Sequence, residues 1–285
     1  MTSFALVDAF ADRPFAGNPA AVFVLAAPAE EAWMRAMAME TNQPATAFLH
    51  RAPRQDGNDG SDRFALRWFT PTREIPLCGH GTLASSHYLW ESGLLPPTAD
   101  ARFDTASGPL TARRDGNWIA LDLPARQVEE AAAPAGLGAA LGSAAAPIFV
   151  GRAGGDLLVA FSSEEAVRAV RLDPAAVTTL STRSLTVTAP AGDGRPYDIV
   201  SRFFHPGPAT LEEDAVTGSA HCALGPFWAA RLGRRQLVAH QASARGGTLR
   251  LALGAGNDRL AVAGQAVTIA RGELDPRAAP RTASR

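Results

Sequence analysis

The sequence contains no lysine; all 27 of its basic residues are arginine. That excludes a lysine Schiff base, and with it ordinary pyridoxal-phosphate catalysis. It also excludes a phosphate-binding loop closed by a lysine. Abundant Ala, Gly, Pro and Arg point to codon bias as the cause, but the chemical exclusion stands. Cysteine is nearly as scarce. Cys78 and Cys222 are the only two, too few for a disulfide framework, so a cytoplasmic protein is expected. The formal net charge of −1 argues against a partner bound through phosphate neutralisation, so no nucleic acid is expected. No uninterrupted apolar run approaches the roughly 20 residues of a membrane span. The first residues, Met1 to Asp8, lack a basic region and do not read as a secretory signal.

What is present suits a globular enzyme. Hydrophobic residues make up 46% of 285, enough for an ordinary core, and the length predicts two domains or one large one. Strands are predicted near 4–10, 20–25, 45–50, 64–69, 102–103, 110–114 and 118–123. Helices are predicted over 28–40, where Glu30 and Glu31 suit the positive helix start, and over 81–91. Trp33, Met37 and Glu40 follow i, i+4, i+7 spacing, which places Glu40 on the apolar face. Residues 54–62 read as a polar loop. Glu129 to Pro147 is rich in Ala, Gly and Pro, and reads as a linker, a short helix or both. The pattern then begins again, with strands near 148–150, 157–161, 185–188 and 199–204 and a helical stretch over 163–170. A long helix is predicted over 215–232, with closing strands near 249–253, 259–262 and 266–270.

The strongest internal signal is a repeat. Arg67-Trp68-Phe69-Thr70-Pro71 matches Arg202-Phe203-Phe204-His205-Pro206, 135 residues on. Each is followed by an acidic loop, a glycine-containing turn and a helix. The turns are Cys78-Gly79-His80-Gly81-Thr82 and Ala215-Val216-Thr217-Gly218-Ser219-Ala220. The expected organisation is a duplicated α+β unit. Residues 1–124 form the first half-domain, with the strand near 266–272 a candidate to complete it. Residues 125–272 form the second, and 273–285 are expected to be a disordered tail.

The repeat implies a site. A helix start carries unpaired N–H groups and about half a positive charge. Two facing halves would aim two such starts into one cleft. There Gly79, Gly81, Thr82, Thr217 and Gly218 would bind a carboxylate and stabilise the enolate formed when a neighbouring C–H loses its proton. For either start alone, capping by Thr82, Thr217 or Ser219 is the simpler reading; the pairing favours a site. Glu40 lies at the negative end of its helix on an apolar face, and both effects favour the neutral carboxyl that proton transfer requires. Its alternative is a carboxylate bonded to the Thr41-Asn42 turn. Asp214 reads as a helix-start acid, and Glu212 and Glu213 as solvated loop charges. His80 is placed to shuttle a proton. His87, His205 and His221 read as structural. No zinc-type ligand spacing and no G-x-S-x-G elbow occur, so no metal site and no serine hydrolase is expected.

Several segments together resemble the PhzF-like family of phenazine-biosynthesis isomerases. They are Val7-Asp8-Ala9-Phe10, Phe15 to Val22, Met39-Glu40-Thr41-Asn42, Arg67 to Pro71, Leu77 to Thr82, Glu213 to His221 and Arg245-Gly246-Gly247. The resemblance implies a diaminopimelate epimerase-like fold, with two similar domains, each a barrel-like sheet around a central helix. It implies that Glu40 is the acid/base and that His80, Asp214 and Ser219 assist the transfer and hold the substrate. It implies no cofactor, a small carboxylate substrate and a homodimer. One departure is Ala215, where the family usually has proline; it is expected to loosen the turn that holds Asp214. Two other readings remain. One is a racemase or epimerase using Cys78, with Asp214-Ala215-Val216 where a partner cysteine would stand. The other is a non-catalytic binding protein of the same fold.

Overall fold

The computed structural model describes residues 2–53, 62–142, 145–206 and 211–280. The chain runs through β1 (Ser3–Ala9), β2 (Asn18–Leu25), α1 (Glu31–Thr41), β3 (Ala45–Arg51), β4 (Arg63–Phe69), β5 (Glu74–Ile75), α2 (Gly79–Glu91), β6 (Ala101–Thr105), β7 (Gly108–Asp115) and β8 (Trp118–Pro124). It continues through β9 (Glu129–Glu130), α3 (Leu137–Leu141), β10 (Phe149–Ala153), β11 (Asp156–Ala160), α4 (Glu164–Ala169), α5 (Pro174–Thr178), β12 (Ser184–Pro190) and β13 (Ile199–Pro206). Then come β14 (Leu211–Asp214), α6 (Gly218–Leu232), β15 (Gln236–Gln241), β16 (Gly247–Leu253), β17 (Arg259–Gly264), β18 (Ala266–Glu273) and a 3-10 turn at Pro276–Ala278. Two compact units result: Met1–Asp122 with Ala263–Arg285, and Leu123–Val262.

In the first unit β18, β1 and β2 pair antiparallel, β2 pairs β3 parallel, and β3 pairs β4 antiparallel. β4 carries β5 antiparallel and β6 parallel, and β6, β7 and β8 form a meander. The two parallel steps need crossovers, and α1 and α2 supply them. Both faces of β2 are covered. Ala21, Phe23 and Leu25 point to α1, where Phe23 stacks on Phe4 and Phe48. Ala20 and Val22, on the alternate face, have no exposure either. α2 is buried nearly all round, packing on β1, β2, β3, β7 and β18. Its interior hydroxyls are satisfied within the helix: Ser85 donates to the Gly81 carbonyl at 2.7 Å and Ser86 to that of Thr82 at 2.8 Å. A helix can therefore lie inside a sheet without stranded polar groups.

The second unit repeats the scheme. β9, β10 and β11 pair antiparallel, β11 pairs β12 parallel, and β12 pairs β13 antiparallel. β13 carries β14 antiparallel and β15 parallel, and β15 pairs β16 antiparallel. Short helices α4 and α5 take the place of α1, and α6 that of α2. The likeness reaches side chains. Arg67 forms a two-pronged pair with Glu74 and lies over Phe69; Arg202 does the same with Glu213 and Phe204. Glu213 is thus a clamp residue, not the solvated charge expected. Pro226, inside α6, has no N–H for the Cys222 carbonyl, and Arg126 N–H takes that carbonyl at 2.8 Å.

Two expectations are corrected. α6 begins at Gly218, not at Ala215, because Asp214 ends strand β14 and Ala215–Thr217 form the turn. Residues 274–280 are placed, not disordered: Leu274 packs on the α1 core and Trp33 Nε1 donates to the Ala278 carbonyl at 2.9 Å. The rest of that tail, 281–285, lies outside the described residues, as does most of the 54–62 loop. Short elements that the apolar pattern does not announce also appear: β5, α5, β14 and β15.

Among the described residues of the second unit, Glu164 is the one buried acid, at 1% exposure. Burial alone would push its pKa up. Hydrogen bonds from Gly192 N–H, Arg168 and Tyr197 outweigh that and bring it down to about 2. A depressed carboxylate stabilises the fold above its ordinary pKa of 4.5, and this contribution fades as pH falls from there toward 2. Thermal unfolding followed across this range should show wild type losing about 3 kcal/mol relative to its neutral-pH stability from this group. Glu164→Gln should be destabilised at neutral pH and show a flatter acid limb.

Candidate active site

Glu40 stands one residue from the end of α1, where carbonyls give the helix its negative pole. The helix buries Met34 and Ala38, a stripe one residue out of phase with the one expected, and so Glu40 is exposed rather than on the apolar face. Asn42, in the left-handed region at φ 48°, closes the helix by donating to the Ala38 carbonyl. The Thr41 hydroxyl also donates to that carbonyl and meets Thr46 Oγ1 at 2.8 Å. Glu40 itself has no hydrogen-bond or ion-pair partner among the described residues. It lines a groove of about 490 Å³ with Trp33, Met37 and Arg277; His80 is not among the residues of that groove.

The α2 start is a tight cap. Cys78 is the N-cap in extended geometry, and its Sγ accepts from Gly81 N–H at 3.3 Å. Thr82 uses both its N–H and its hydroxyl on the Cys78 carbonyl, at 3.0 and 2.6 Å. Gly81 is a packing glycine as well: a Cβ there would meet the Trp68 indole at 2.8 Å. Gly81 and Thr82, expected to bind substrate, therefore build the turn, and Gly79 N–H is left open. The His80 ring lies 3.6 Å from Cys78 Sγ, so the structure brings these two together.

The α6 start is built differently. Register places Glu74 opposite Phe69 and Glu213 opposite Phe204, so equivalent positions lie 135 residues apart before this loop and 139 after it. Thr217 then corresponds to Cys78, Gly218 to Gly79, Ser219 to His80 and Asp214 to Ile75. Thr217 does not cap its own helix; its hydroxyl donates to Asp214 Oδ2. Gln241, with no exposure, clamps the turn: its Oε1 accepts from Thr217 N–H at 2.8 Å and its Nε2 donates to the Asp214 carbonyl at 2.7 Å. Ser243 Oγ donates to the Ala215 carbonyl at 2.7 Å. The looseness expected from Ala215 is thus countered by two side chains of a neighbouring strand end. Sequence reasoning missed Gln241 because β15 itself was missed; the one available signal was a buried-type Leu-Val-Ala run ending in an amide. Ser219 is exposed, and the N–H groups of Gly218 and Ser219 have no partner among the described residues. His221 is fully buried and held near 4 by that burial, with Nδ1 donating to the Thr217 carbonyl at 2.8 Å. Cys222, also buried, is pushed up to about 12, so its thiol is inert.

These features define a class: a duplicated epimerase-like α+β protein with one open helix start in each unit. The comparisons narrow it. The model of the phenazine biosynthesis-like protein family matches residues 7–272. An uncharacterized isomerase of Halalkalibacterium halodurans is 43% identical, over 96% of this chain and 98% of its own. Phenazine biosynthesis-like domain-containing protein 1 of mouse is 35% identical, over 94% and 97%. A crystal structure of a PhzF-family phenazine biosynthesis protein from Enterococcus faecalis superposes with a TM-score of 0.85 at 36% identity, covering 96% of this chain and 99% of the other. The chain belongs to the phenazine biosynthesis-like (PhzF) family and is an isomerase.

Gln241→Leu tests the clamp. It strands Thr217 N–H and the Asp214 carbonyl in a dry site, which costs about 2–4 kcal/mol. Denaturant unfolding should show that loss, and the Thr217 amide should exchange with solvent faster than in wild type.

Proposed function

We propose that the protein moves a proton between carbons of a small cyclic or unsaturated carboxylate by general acid/base catalysis, with no metal or cofactor taking part. The observation that carries this is the duplicated helix start. Cys78-Gly79-His80 and Thr217-Gly218-Ser219 occupy equivalent positions, and the N–H groups of Gly79, Gly218 and Ser219, which meet no acceptor among the described residues, suit an anion or a developing enolate. Glu40 is the acid/base, an exposed carboxylate with no hydrogen-bond or ion-pair partner among the described residues. His80, Asp214 and Ser219 assist. Asp214 is supported in this role by its fixed geometry, held by Thr217 and Gln241.

A second reading is favoured by one contact. The Cys78 thiol lies beside His80 at a helix start, an arrangement that activates a thiol. Against a two-thiol racemase stands Thr217, which fills the position that a partner cysteine would need.

Solvent exchange tests both. Unsaturated cyclic carboxylates incubated in D2O should gain deuterium at carbon with wild type, read by proton NMR. Glu40→Gln should lower that rate by about 10²–10⁴-fold while leaving binding intact. Near-normal exchange in Glu40→Gln sinks the first reading. Alkylation then examines the second: both thiols are buried, so peptide mapping must place the label. Inactivation that substrate prevents, with label on Cys78, supports this reading, while label on Cys222 alone or no label overturns it.

A further inference from the structure

At the end of α2 away from Gly79 lies a pocket of about 260 Å³, inside the first unit, between the last turns of α2, the β7–β8 turn and the start of β18. Two of its lining residues, His87 and Glu91, belong to a polar chain that continues behind the wall. Arg271 pairs with Glu91 at 2.7 Å, Thr268 donates its hydroxyl to the same Glu91 oxygen, and His87 Nε2 meets Thr268 Oγ1 at 3.0 Å. A threonine hydroxyl has one hydrogen, and this one goes to Glu91. Thr268 therefore accepts from His87, which places the proton on Nε2 and leaves Nδ1 a bare acceptor. No described residue occupies Nδ1. On the pocket's other side Arg114 bonds only the Gly116 carbonyl through Nε, so its terminal nitrogens face no acid among the described residues. Asp12 and Asn117 complete the polar rim over a floor of Trp90, Ile119 and Val267.

The second unit is a control supplied by the duplication. At the positions of His87 and Glu91, α6 carries Pro226 and Ala230. The same helix-in-sheet fold therefore stands without this network. Half-buried polar chains cost desolvation, so the fold does not explain why the first unit keeps one.

We propose that this pocket binds a small free amino acid. Arg114 receives the carboxylate, with Asn117 beside it. His87 Nδ1 accepts from the ammonium, which the negative pole at the end of α2 also favours; Asp12, paired with Arg13 at 3.3 Å, adds negative charge at the rim. The pocket is smaller than the common range for drug-sized ligands and matches a molecule of this size. The site is separate from the helix starts and does not depend on the Glu40 reading.

The probes are glycine, L-alanine, L-serine and L-glutamate, with L-lactate and L-alaninamide as controls that lack the ammonium or the carboxylate. Calorimetry on the full chain should give saturable binding for at least one amino acid at about 10 µM to 1 mM and none for either control. Amide shifts in NMR should centre on Asn117 and Gln265. Arg114→Gln, at an exposed position near the end of β7, should weaken binding about tenfold or more, and Glu40→Gln should leave it unchanged. The proposal is overturned by any of three results: no amino acid saturates, lactate binds as well as alanine, or the shifts fall at Gly79 and Gly218 and persist in Arg114→Gln.

Discussion

Burying a helix on every side sets the terms for this protein. α2 and α6 are each largely enclosed by packing, and a helix in that position is pressed to satisfy the polar groups along its length; His221 Nε2 in α6 is the exception among the described residues of the two helices. The middle does so internally, through Ser85 and Ser86 bonding back one turn. Where Pro226 breaks the ladder, Arg126 repairs it from outside. The first turn has no such internal solution, because its N–H groups point away from the helix body. What the chain places there determines its chemistry: a cysteine cap with His80 in one unit, and a threonine tied to Asp214 with Ser219 in the other.

Duplication gives the scaffold, and divergence gives each unit its role. The Arg–Phe–Glu clamp at Arg67 and Arg202 survives in both units because it holds the strand that leads into the helix. The cap residues have parted. Ile75 in one unit is Asp214 in the other, and the acid is kept in place by an amide, Gln241, reached through tertiary folding alone. Thr82 is matched by His221, and both serve the same carbonyl turn from within the helix. The far end of α2 has parted too, with a polar chain around His87 where α6 has proline and alanine.

Much of this was legible in the chain. Strand β2 carries a continuous apolar run, Ala20 to Leu25, of the kind buried on both faces, and β1, β3, β4 and β13 are rich in apolar residues bounded by turns. The repeat of Arg-x-Phe followed by a glycine turn and a helix showed the duplication before any coordinates. Glu40, His80, Asp214 and Ser219 were named from motif and resemblance. The phase of α1 was not legible, since Trp33 and Met37 are only partly covered and Met34 and Ala38 carry the buried stripe. Nor were β14 and β15, which are short, polar at one end and held by pairing with β13 rather than by their own pattern.

The sequence by itself determined the secondary-structure alternation, the duplication and the residue types at the two helix starts, because periodicity, glycine and capping act over a few residues. Tertiary structure alone decided which of those residues are free. It committed Gly81 and Thr82 to the cap, exposed Glu40, fixed Asp214 through Gln241, and set His87 in a proton chain with Glu91, Thr268 and Arg271. Those outcomes depend on partners up to 181 residues away along the chain, and only packing brings such groups within hydrogen-bond distance.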